Sequence, residues 1–280
     1  MIKIIECPRD AWQGMEDFVP TSLKASYINQ LLDVGFDTID FGSFVNPKAM
    51  PQMKDTAELI SAIDMNKSES SLLAIVANVR GAEDALKFPS IKFLGFPLSL
   101  SETFQQRNTN KSIEEALDSV LRMQELCVQH GRILVIYLSM GFGNPYGDPF
   151  NAEVVLKFSR LMAEIEIKVI SLADTIGVAT PEMIEGLYTS LIPEYPNIEF
   201  GAHLHSNPLT ASEKILAAYN AGCRRFDGAI KGFGGCPMAD DQLVGNLPTE
   251  LLVEVLPKDE LRVDQSKFSK AMTMSLEIFH

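Results

Sequence analysis

Short apolar segments alternate with longer amphipathic ones along almost the whole chain. Several short segments, such as LLAIVAN and RILVIYL, are continuous apolar runs rather than alternating ones. Continuous runs are typical of strands that are buried on both faces of a parallel sheet. The pattern predicts eight strands, at residues 2–6, 37–42, 72–78, 91–96, 132–138, 168–174, 198–205 and 224–230.

The segments between these strands have the periodicity of helices. Residues 151–165 repeat apolar side chains at a spacing of three to four positions, and Asn151 stands where an N-cap is expected. Residues 111–131 begin with a capping box formed by Ser112 and Glu115. Further helices are predicted at residues 21–34, 53–64, 80–87, 180–192, 207–221, 247–256 and 264–279.

Regular alternation of strands and helices predicts an α/β fold, a (β/α)8 TIM barrel with a short C-terminal helical extension. An open doubly wound sheet is the alternative, but no GxGxxG follows the first strand, which disfavours a nucleotide-binding Rossmann domain. No Pro/Gly-rich linker divides the chain. We therefore expect one domain over residues 1–280, with the barrel at about 2–256 and the extra helix at about 264–279.

Composition and charge narrow the class of protein. The 280 residues are 46% hydrophobic, which is enough for one large core. A formal net charge of -13 argues against nucleic acid or a membrane as partner, although one local arginine can still bind an anionic small molecule. We find neither a signal peptide nor an apolar run near the ~20 residues of a membrane helix. Few, widely spaced cysteines without a CxxC pair favour a cytoplasmic protein with reduced thiols.

Polar residues follow nearly every predicted strand, and in a barrel the carboxyl ends of the strands surround the active site. These residues are, in chain order, Arg9, Asp10, Gln13, Ser43, Asn46, Lys48, Asn78, Glu102, Asn108, Ser139, Asn144, Asp174, Thr175, His203, His205, Cys236 and Asn246.

The two histidines of the sequence HLH are the most informative of these. Residues i and i+2 of a strand point to the same face, ~6.6 Å apart, so His203 and His205 both enter the barrel mouth. They could share one cation, or they could be two hydrogen-bonded core histidines. Asp10, after the first strand, favours the cation, and Asn246 could add an amide oxygen. Such a nitrogen and oxygen set suits Mg²⁺ or Mn²⁺ and lacks the thiolates of a structural zinc site.

Arg9 and Cys236 are two further candidates. Arg9 could form an ion pair with an acid such as Asp40, or it could hold a substrate carboxylate or a developing enolate oxygen. Cys236 lies in the glycine-rich sequence GFGGCP, an unusual setting for a core cysteine. A thiol is mostly protonated at neutral pH and can donate a proton to a carbanion. We expect the remaining cysteines to be small buried hydrophobes: Cys7, Cys127 and Cys223.

With these residues identified, the chain resembles the hydroxymethylglutaryl-CoA lyase family, part of the metal-dependent aldolase and Claisen barrels (the DRE-TIM metallolyases). The resemblance is carried by PRDAWQ, SFVNPKAMPQM, SLADTIGVATP, GAHLHSN and GFGGCPMADDQLVGNLPTELL. It runs in order from about residue 2 to residue 256, and the GxGGCP loop is its most specific element.

The resemblance implies a homodimer that binds a divalent metal, Mg²⁺ or Mn²⁺, and cleaves 3-hydroxy-3-methylglutaryl-CoA to acetyl-CoA and acetoacetate. The implied metal ligands are Asp10, His203, His205 and Asn246. In the hypothesis for the reaction, a base, His203 or Asp10, takes the proton of the tertiary hydroxyl, Arg9 stabilises the enolate oxygen, and Cys236 protonates the enolate carbon. The acyl-CoA substrate is expected to contact Arg9, Gln13, Ser43, Asn108, Ser139, Asp174 and Glu250.

Some positions depart from the family pattern, and they leave other functions open. The departures are Ile5, Ala11, Asp40, Ser206, Leu251 and a loop at 237–246 that is one residue longer. One alternative is a related Claisen or aldol enzyme, either an acyl-CoA-dependent synthase or a ketoacid aldolase. A non-enzyme alternative is a barrel that only binds an acyl-CoA.

Overall fold

A closed barrel of eight parallel strands forms the centre of the computed structural model, which describes residues 1–66, 68–207, 209–235 and 244–279. Each strand pairs with the next one in the sequence, and the pairing of β8 with β1 closes the ring. The predicted TIM barrel is therefore confirmed. Strands β1 to β8 lie at Lys3–Glu6, Thr38–Ser43, Ser71–Ile75, Ile91–Ser99, Ile133–Ser139, Val169–Asp174, Glu199–Ser206 and Arg225–Gly228.

A ninth strand and eleven α-helices complete the described part of the chain. The short strand β9, Gly245–Asn246, pairs antiparallel with β7. Short 3-10 helices lie at Pro51–Met53, Ile230–Gly232 and Lys258–Glu260. Helices α1 to α11 lie at Pro8–Gln13, Thr21–Val34, Thr56–Ser61, Val79–Leu86, Glu102–Thr109, Ile113–Gln129, Ala152–Glu164, Pro181–Glu194, Ala211–Asn220, Thr249–Val255 and Gln265–Ile278. Among the described residues, no helix has both the length and the apolar character needed to cross a membrane.

The predicted caps are present, and two helices go beyond the prediction. Ser112 Oγ accepts from the Glu115 amide at 3.1 Å, and the Glu115 carboxylate accepts from the Ser112 amide at 2.8 Å. The Asn151 side chain caps α7 at 3.0 Å. Neither α1 nor α5 was predicted, because α1 has only six residues and α5, ETFQQRNT, lacks an apolar stripe.

The barrel interior has an apolar side and a polar side. Alternate residues of a barrel strand point inward. On β3 to β6 these inward residues pack into an apolar cluster of Leu73, Ile75, Phe93, Val135, Tyr137 and Val169. On β2, β7 and β8 the buried or partly buried side chains in the same layers are polar or charged: Asp40, His203, His205, Arg225 and Asp227.

The C-terminal helix supports the side of the barrel that carries the charges. Phe279, directly after α11, stacks on Trp12 of α1 with ring centroids 6.3 Å apart. It also stacks on Phe233, the second residue of the glycine-rich sequence GFGGCP, at 4.8 Å. Phe268 of α11 packs edge-on against Phe36 at 6.0 Å. The predicted extension is therefore part of the packed structure around α1.

Glu6, at the end of β1, is a buried acid on the outer face of the barrel. Its carboxylate accepts from the Ile230 amide at 2.9 Å and from the Thr249 hydroxyl at 2.5 Å. Burial raises the pKa of Glu6 from 4.5 to about 8, although the two hydrogen bonds lower it. The folded protein therefore holds this proton more tightly than the unfolded chain does.

This shift predicts a loss of stability with rising pH. The contribution of Glu6 is fully present below about pH 4.5 and is lost as the pH rises to about 8. Because one pKa unit corresponds to about 1.4 kcal/mol, Glu6→Gln should gain at least about 1 kcal/mol relative to wild type between pH 5 and pH 8. Urea unfolding at both pH values measures this difference.

Glu254→Gln, which removes an exposed acid from the same helix as Thr249, is the matched control and should show no such gain. An equal effect of pH on the wild type and on Glu6→Gln would contradict the assignment.

Candidate functional site

Arg9 and Asp10 lie in α1, which is separated from β1 only by Cys7. The helix starts at Pro8, since proline suits the first turn of a helix. Arg9 Nε and Nη2 donate to Asp40 Oδ2 at 3.0 and 2.5 Å. Arg9 Nη1 donates to Asp10 Oδ1 and to Gln13 Oε1, both at 2.8 Å. The ion pair with Asp40 is therefore present. These contacts occupy both Nη1 hydrogens and the Nε hydrogen, so one Nη2 hydrogen remains for another acceptor.

The two histidines of β7 are each held through Nδ1. His203 Nδ1 lies 3.1 Å from Asp227 Oδ2, and His205 Nδ1 lies 3.1 Å from the carbonyl oxygen of Thr175. A carbonyl or an ionised carboxylate only accepts, so Nδ1 carries the hydrogen in both neutral rings and Nε2 keeps a lone pair. His205 Nε2 is buried and has no hydrogen-bond partner within the described ranges. Because an unpaired buried acceptor costs about 1–3 kcal/mol, this atom fits a metal ligand.

Asp10 and the two histidines form a group that could hold a cation. One ligand atom from each of Asp10, His203 and His205 lies within 4.8 Å of the others. Asn246 joins them because β9 places it opposite His205. Its amide nitrogen donates to Asp10 Oδ2 at 2.6 Å and to the Phe233 carbonyl at 2.9 Å, which leaves its amide oxygen available. A carboxylate, two imidazoles and an amide oxygen suit a divalent ion.

Two of these groups have the protonation state that a cation needs. Burial alone would raise the pKa of Asp10, but the charge of Arg9 outweighs it and lowers this pKa well below its usual range. Burial lowers the pKa of His205 to about 4, and the charge of His203 contributes to the shift. Burial would lower the pKa of His203 as well, but the contact with Asp227 outweighs burial and raises this pKa. At neutral pH Asp10 is therefore ionised and His205 is neutral.

A cavity of about 220 Å³ opens over this group at the carboxyl ends of the strands. Besides the two histidines, its polar lining includes Arg9, Asp10, Gln13, Asn108, Ser139 and Thr175. Its apolar wall includes Val45, Met50, Ile75, Pro97, Phe104 and Tyr137. The site thus combines one cation-binding group, one buried guanidinium and an apolar wall.

Comparison with known proteins identifies the family. The family model described as HMGL-like matches residues 2–275 of the chain. The chain belongs to the HMGL-like family. This family comprises metal-dependent lyases and aldolases, so the resemblance seen in the sequence is confirmed and the chain is an enzyme.

Relatives of this HMGL-like enzyme are similar over almost its whole length. It is 33% identical over 257 residues to the hydroxymethylglutaryl-CoA lyase YngG of Bacillus subtilis, covering 92% of this chain and 85% of that protein. It is 30% identical over 256 residues to the 3-hydroxy-3-isohexenylglutaryl-CoA/hydroxy-methylglutaryl-CoA lyase of Pseudomonas aeruginosa. This match covers 91% of this chain and 84% of that protein. Its structure is similar to that of an HMG-CoA lyase from Acinetobacter baumannii in complex with coenzyme A and 3-methylmalate. The TM-score is 0.91 and the sequence identity is 28%, and the match covers 100% of this chain and 91% of that chain.

Three residues predicted to bind substrate do not line the cavity of this HMGL-like enzyme. Ser43 is buried and donates to a carbonyl of β3 at 3.2 Å. Asp174 accepts from two loop amides, at 2.8 and 3.0 Å, and from Lys214 Nζ at 2.8 Å. Glu250 accepts from the Lys231 amide at 2.9 Å. In each case the side chain is engaged in a contact that stabilises a strand end or a loop around the site.

Among the side chains at the site that were not predicted, three have distinct roles. Tyr137 packs edge-on against His203 with ring centroids 5.4 Å apart, and strand alternation from Ser139 would have identified it. Phe104 belongs to α5, whose polar sequence gave no helix signal. Asp227 is an acid two positions after Arg225 in a strand that is buried throughout, which was the available signal for a buried partner.

The predicted catalytic cysteine, Cys236, lies outside the described residues, but the chain that leads to it is described. Gly234 has a φ of +98°, a conformation that favours glycine. A Cβ atom there would lie 2.7 Å from Asn246 Nδ2 and 2.8 Å from the Asp10 carbonyl oxygen. Glycine therefore allows the base of this loop to contact two of the proposed ligands.

Gly234→Ala should weaken cation binding, because the new methyl group must displace Asn246 or Asp10. Calorimetric titration with Mn²⁺ measures the affinity. Gly147→Ala is the matched control, since Gly147 also has a positive φ, +75°, but nothing lies within 4 Å of the point that its Cβ atom would occupy. Both changes cost roughly 1–2 kcal/mol of backbone strain. Equal Mn²⁺ affinities of the two variants would contradict the prediction.

Proposed function

We propose that this HMGL-like enzyme is a divalent-metal-dependent carbon–carbon lyase that cleaves 3-hydroxy-3-methylglutaryl-CoA to acetyl-CoA and acetoacetate. The observation that carries the proposal is the orientation of the two histidines, whose Nε2 lone pairs are free beside Asp10 and Arg9 in one cavity. The names of the relatives support the substrate, and the bound coenzyme A of the Acinetobacter structure supports a thioester.

The cation would be held by Asp10, His203, His205 and Asn246. All four groups supply nitrogen or oxygen, which favours Mg²⁺ or Mn²⁺. When bound, such an ion acts as a Lewis acid that lowers the pKa of a coordinated hydroxyl group. The chain itself prepares the site, since Arg9 keeps Asp10 ionised and burial keeps His205 neutral.

Arg9 is suited to bind the thioester oxygen on which negative charge develops as the carbon–carbon bond breaks. Its guanidinium is anchored by Asp40, Asp10 and Gln13. The remaining Nη2 hydrogen can donate to one oxygen at the cavity without any reorientation of the side chain. A fixed, always-charged donor stabilises a developing enolate because no reorganisation is needed during the reaction.

Two proton transfers complete the proposed reaction. The first takes the proton of the tertiary hydroxyl to one of the two candidate bases, His203 or Asp10. Asp227 holds Nδ1 of His203, and Arg9 and Asn246 donate to the two oxygens of Asp10, so neither base is favoured by its contacts. The Cys236 thiol then donates its proton to the enolate carbon and so forms the methyl group of acetyl-CoA. Gly234, directly against Asp10, supports the presence of this loop at the site.

The apolar wall favours a second, related substrate class. Met50, Ile75, Pro97 and Phe104 offer contacts to an alkyl group at C3 of the substrate. The Pseudomonas relative is named for a substrate with an isohexenyl group at that carbon. A 3-hydroxy-3-alkylglutaryl-CoA with a longer chain is therefore the second candidate.

The direct test is acetoacetate formation from 3-hydroxy-3-methylglutaryl-CoA by the purified protein, with Mg²⁺ or Mn²⁺ and with excess chelator. We expect turnover that is lost with chelator and regained when the metal is restored. A synthase or a ketoacid aldolase would release no acetoacetate from this thioester, and a binding barrel would release no product at all. Either outcome, with metal bound, would contradict the proposal.

Cys236→Ala should lower kcat by at least about 100-fold, the usual contribution of a general acid, while Mn²⁺ affinity is retained. Cys127→Ala is the control, because Cys127 is a buried thiol on α6, away from the cavity. Acetoacetate formation at the wild-type rate by Cys236→Ala would exclude the thiol as the proton donor.

A further inference from the structure

One buried pair of charges in the barrel interior has no part in the proposed reaction. Arg225 and Asp227 are two residues apart on β8, so both project from the same face of the strand. Their exposed fractions are only 1% and 2%. Asp227 Oδ2 contacts His203, but Asp227 Oδ1 and Arg225 Nε and Nη2 have no hydrogen-bond partner among the described residues. A buried pair with so few direct bonds requires an explanation.

Arg225 offsets the charge of Asp227 from the side away from the cavity. Asp227 is the strongest of the acids that raise the pKa of Arg225 against the effect of burial. The other close acid is Glu199, whose carboxylate lies 3.4 Å from Arg225 Nη1. Gly201 lies opposite Arg225 in β7 and leaves room for it, since a Cβ there would lie 2.9 Å from Arg225 Cδ. The barrel is thus built to accommodate a guanidinium at this point.

Asp227 contacts Nδ1 of His203, and a hydrogen on this nitrogen leaves Nε2 free to bind a cation. A neutral imidazole carries one hydrogen, and the nitrogen without it is the ligand. With an acceptor at Nδ1 the hydrogen stays there, and Nε2 keeps its lone pair toward the cavity, which His203 lines. Without that acceptor the hydrogen can move to Nε2, and the ligand is lost.

We propose that Asp227 is a positioning residue that fixes the hydrogen of His203 on Nδ1 and so presents Nε2 to the cation, with Arg225 as its buried counter-charge. The inference rests on the proposed metal site and does not depend on the identity of the thioester. Partners of this kind typically change metal affinity by about 10- to 100-fold.

The tautomer can be measured in the metal-free protein by NMR with ¹⁵N-labelled histidine. The chain has only four histidines, and His203→Gln identifies the signals of His203. In wild type, at an alkaline pH where the His203 ring is neutral, we expect a protonated Nδ1 and a bare Nε2. In Asp227→Asn the amide can donate to Nδ1, so the hydrogen should move to Nε2. His205 should be unaffected, because the Thr175 carbonyl holds it. An unchanged His203 tautomer in Asp227→Asn would overturn the inference.

Mn²⁺ affinity gives the second measurement. Asp227→Asn should bind Mn²⁺ about 10- to 100-fold more weakly than wild type. The control is Asp55→Asn, which removes another buried acid, one that pairs with Lys24 at 2.9 Å, and should leave the affinity unchanged. Wild-type affinity in Asp227→Asn would overturn the inference.

A double variant separates positioning from a general loss of stability. Asp227→Asn leaves Arg225 buried with only Glu199 as a counter-charge and should lower the Tm. Adding Arg225→Met should restore part of the Tm but should restore neither the His203 tautomer nor the Mn²⁺ affinity. Recovery of the affinity together with the Tm would show a structural role only and would overturn the inference.

Different results would show that the proposed metal site is wrong, whatever the role of Asp227. If wild type bound no Mn²⁺, or if His205→Ala bound it as tightly as wild type, the metal site itself would be wrong. The NMR experiment on the metal-free protein would still decide whether Asp227 sets the tautomer of His203.

Discussion

Two oxygen atoms that only accept hydrogen bonds determine what this site can do. The Thr175 carbonyl holds the hydrogen of His205 on Nδ1, and the Asp227 carboxylate does the same for His203. Thr175 follows β6 and Asp227 belongs to β8, the two strands beside β7. Closure of the barrel therefore sets both ring orientations, and the two Nε2 lone pairs become available beside Asp10.

The polar side of the barrel interior pairs buried acids with buried arginines, which lowers the cost of burying their charges. Buried ions are expensive unless each has a partner. Arg9 lies between Asp10 and Asp40, and Arg225 lies beside Asp227, so each acid has a nearby cation. The opposite half of the interior is apolar and supplies Ile75 and Tyr137 to the wall of the cavity. This division of the barrel matches the proposed reaction, in which charge develops at one end of an acyl chain.

Much of the fold was predictable because buried parallel strands leave continuous apolar runs in the sequence, as in RILVIYL. The HLH pair was predictable because alternation on a strand is a local rule. The roles of Asp227 and Thr175 were not, since their contacts cross 24 and 30 positions of sequence. For Asp174 and Glu250 the sequence could not distinguish two roles. A polar residue at a strand or loop end gives the same sequence signal whether its side chain faces the cavity or stabilises a loop, and both acids contact loop residues.

The central claim is that both imidazoles bind one cation through Nε2 together with Asp10. Anomalous diffraction from crystals grown with Mn²⁺ tests it most directly. The account predicts one strong peak in the cavity, about 2.0–2.3 Å from Nε2 of His203, Nε2 of His205 and a carboxylate oxygen of Asp10. A peak that contacts neither histidine, or one bound through Nδ1 with Asp227 or Thr175 displaced, would contradict it.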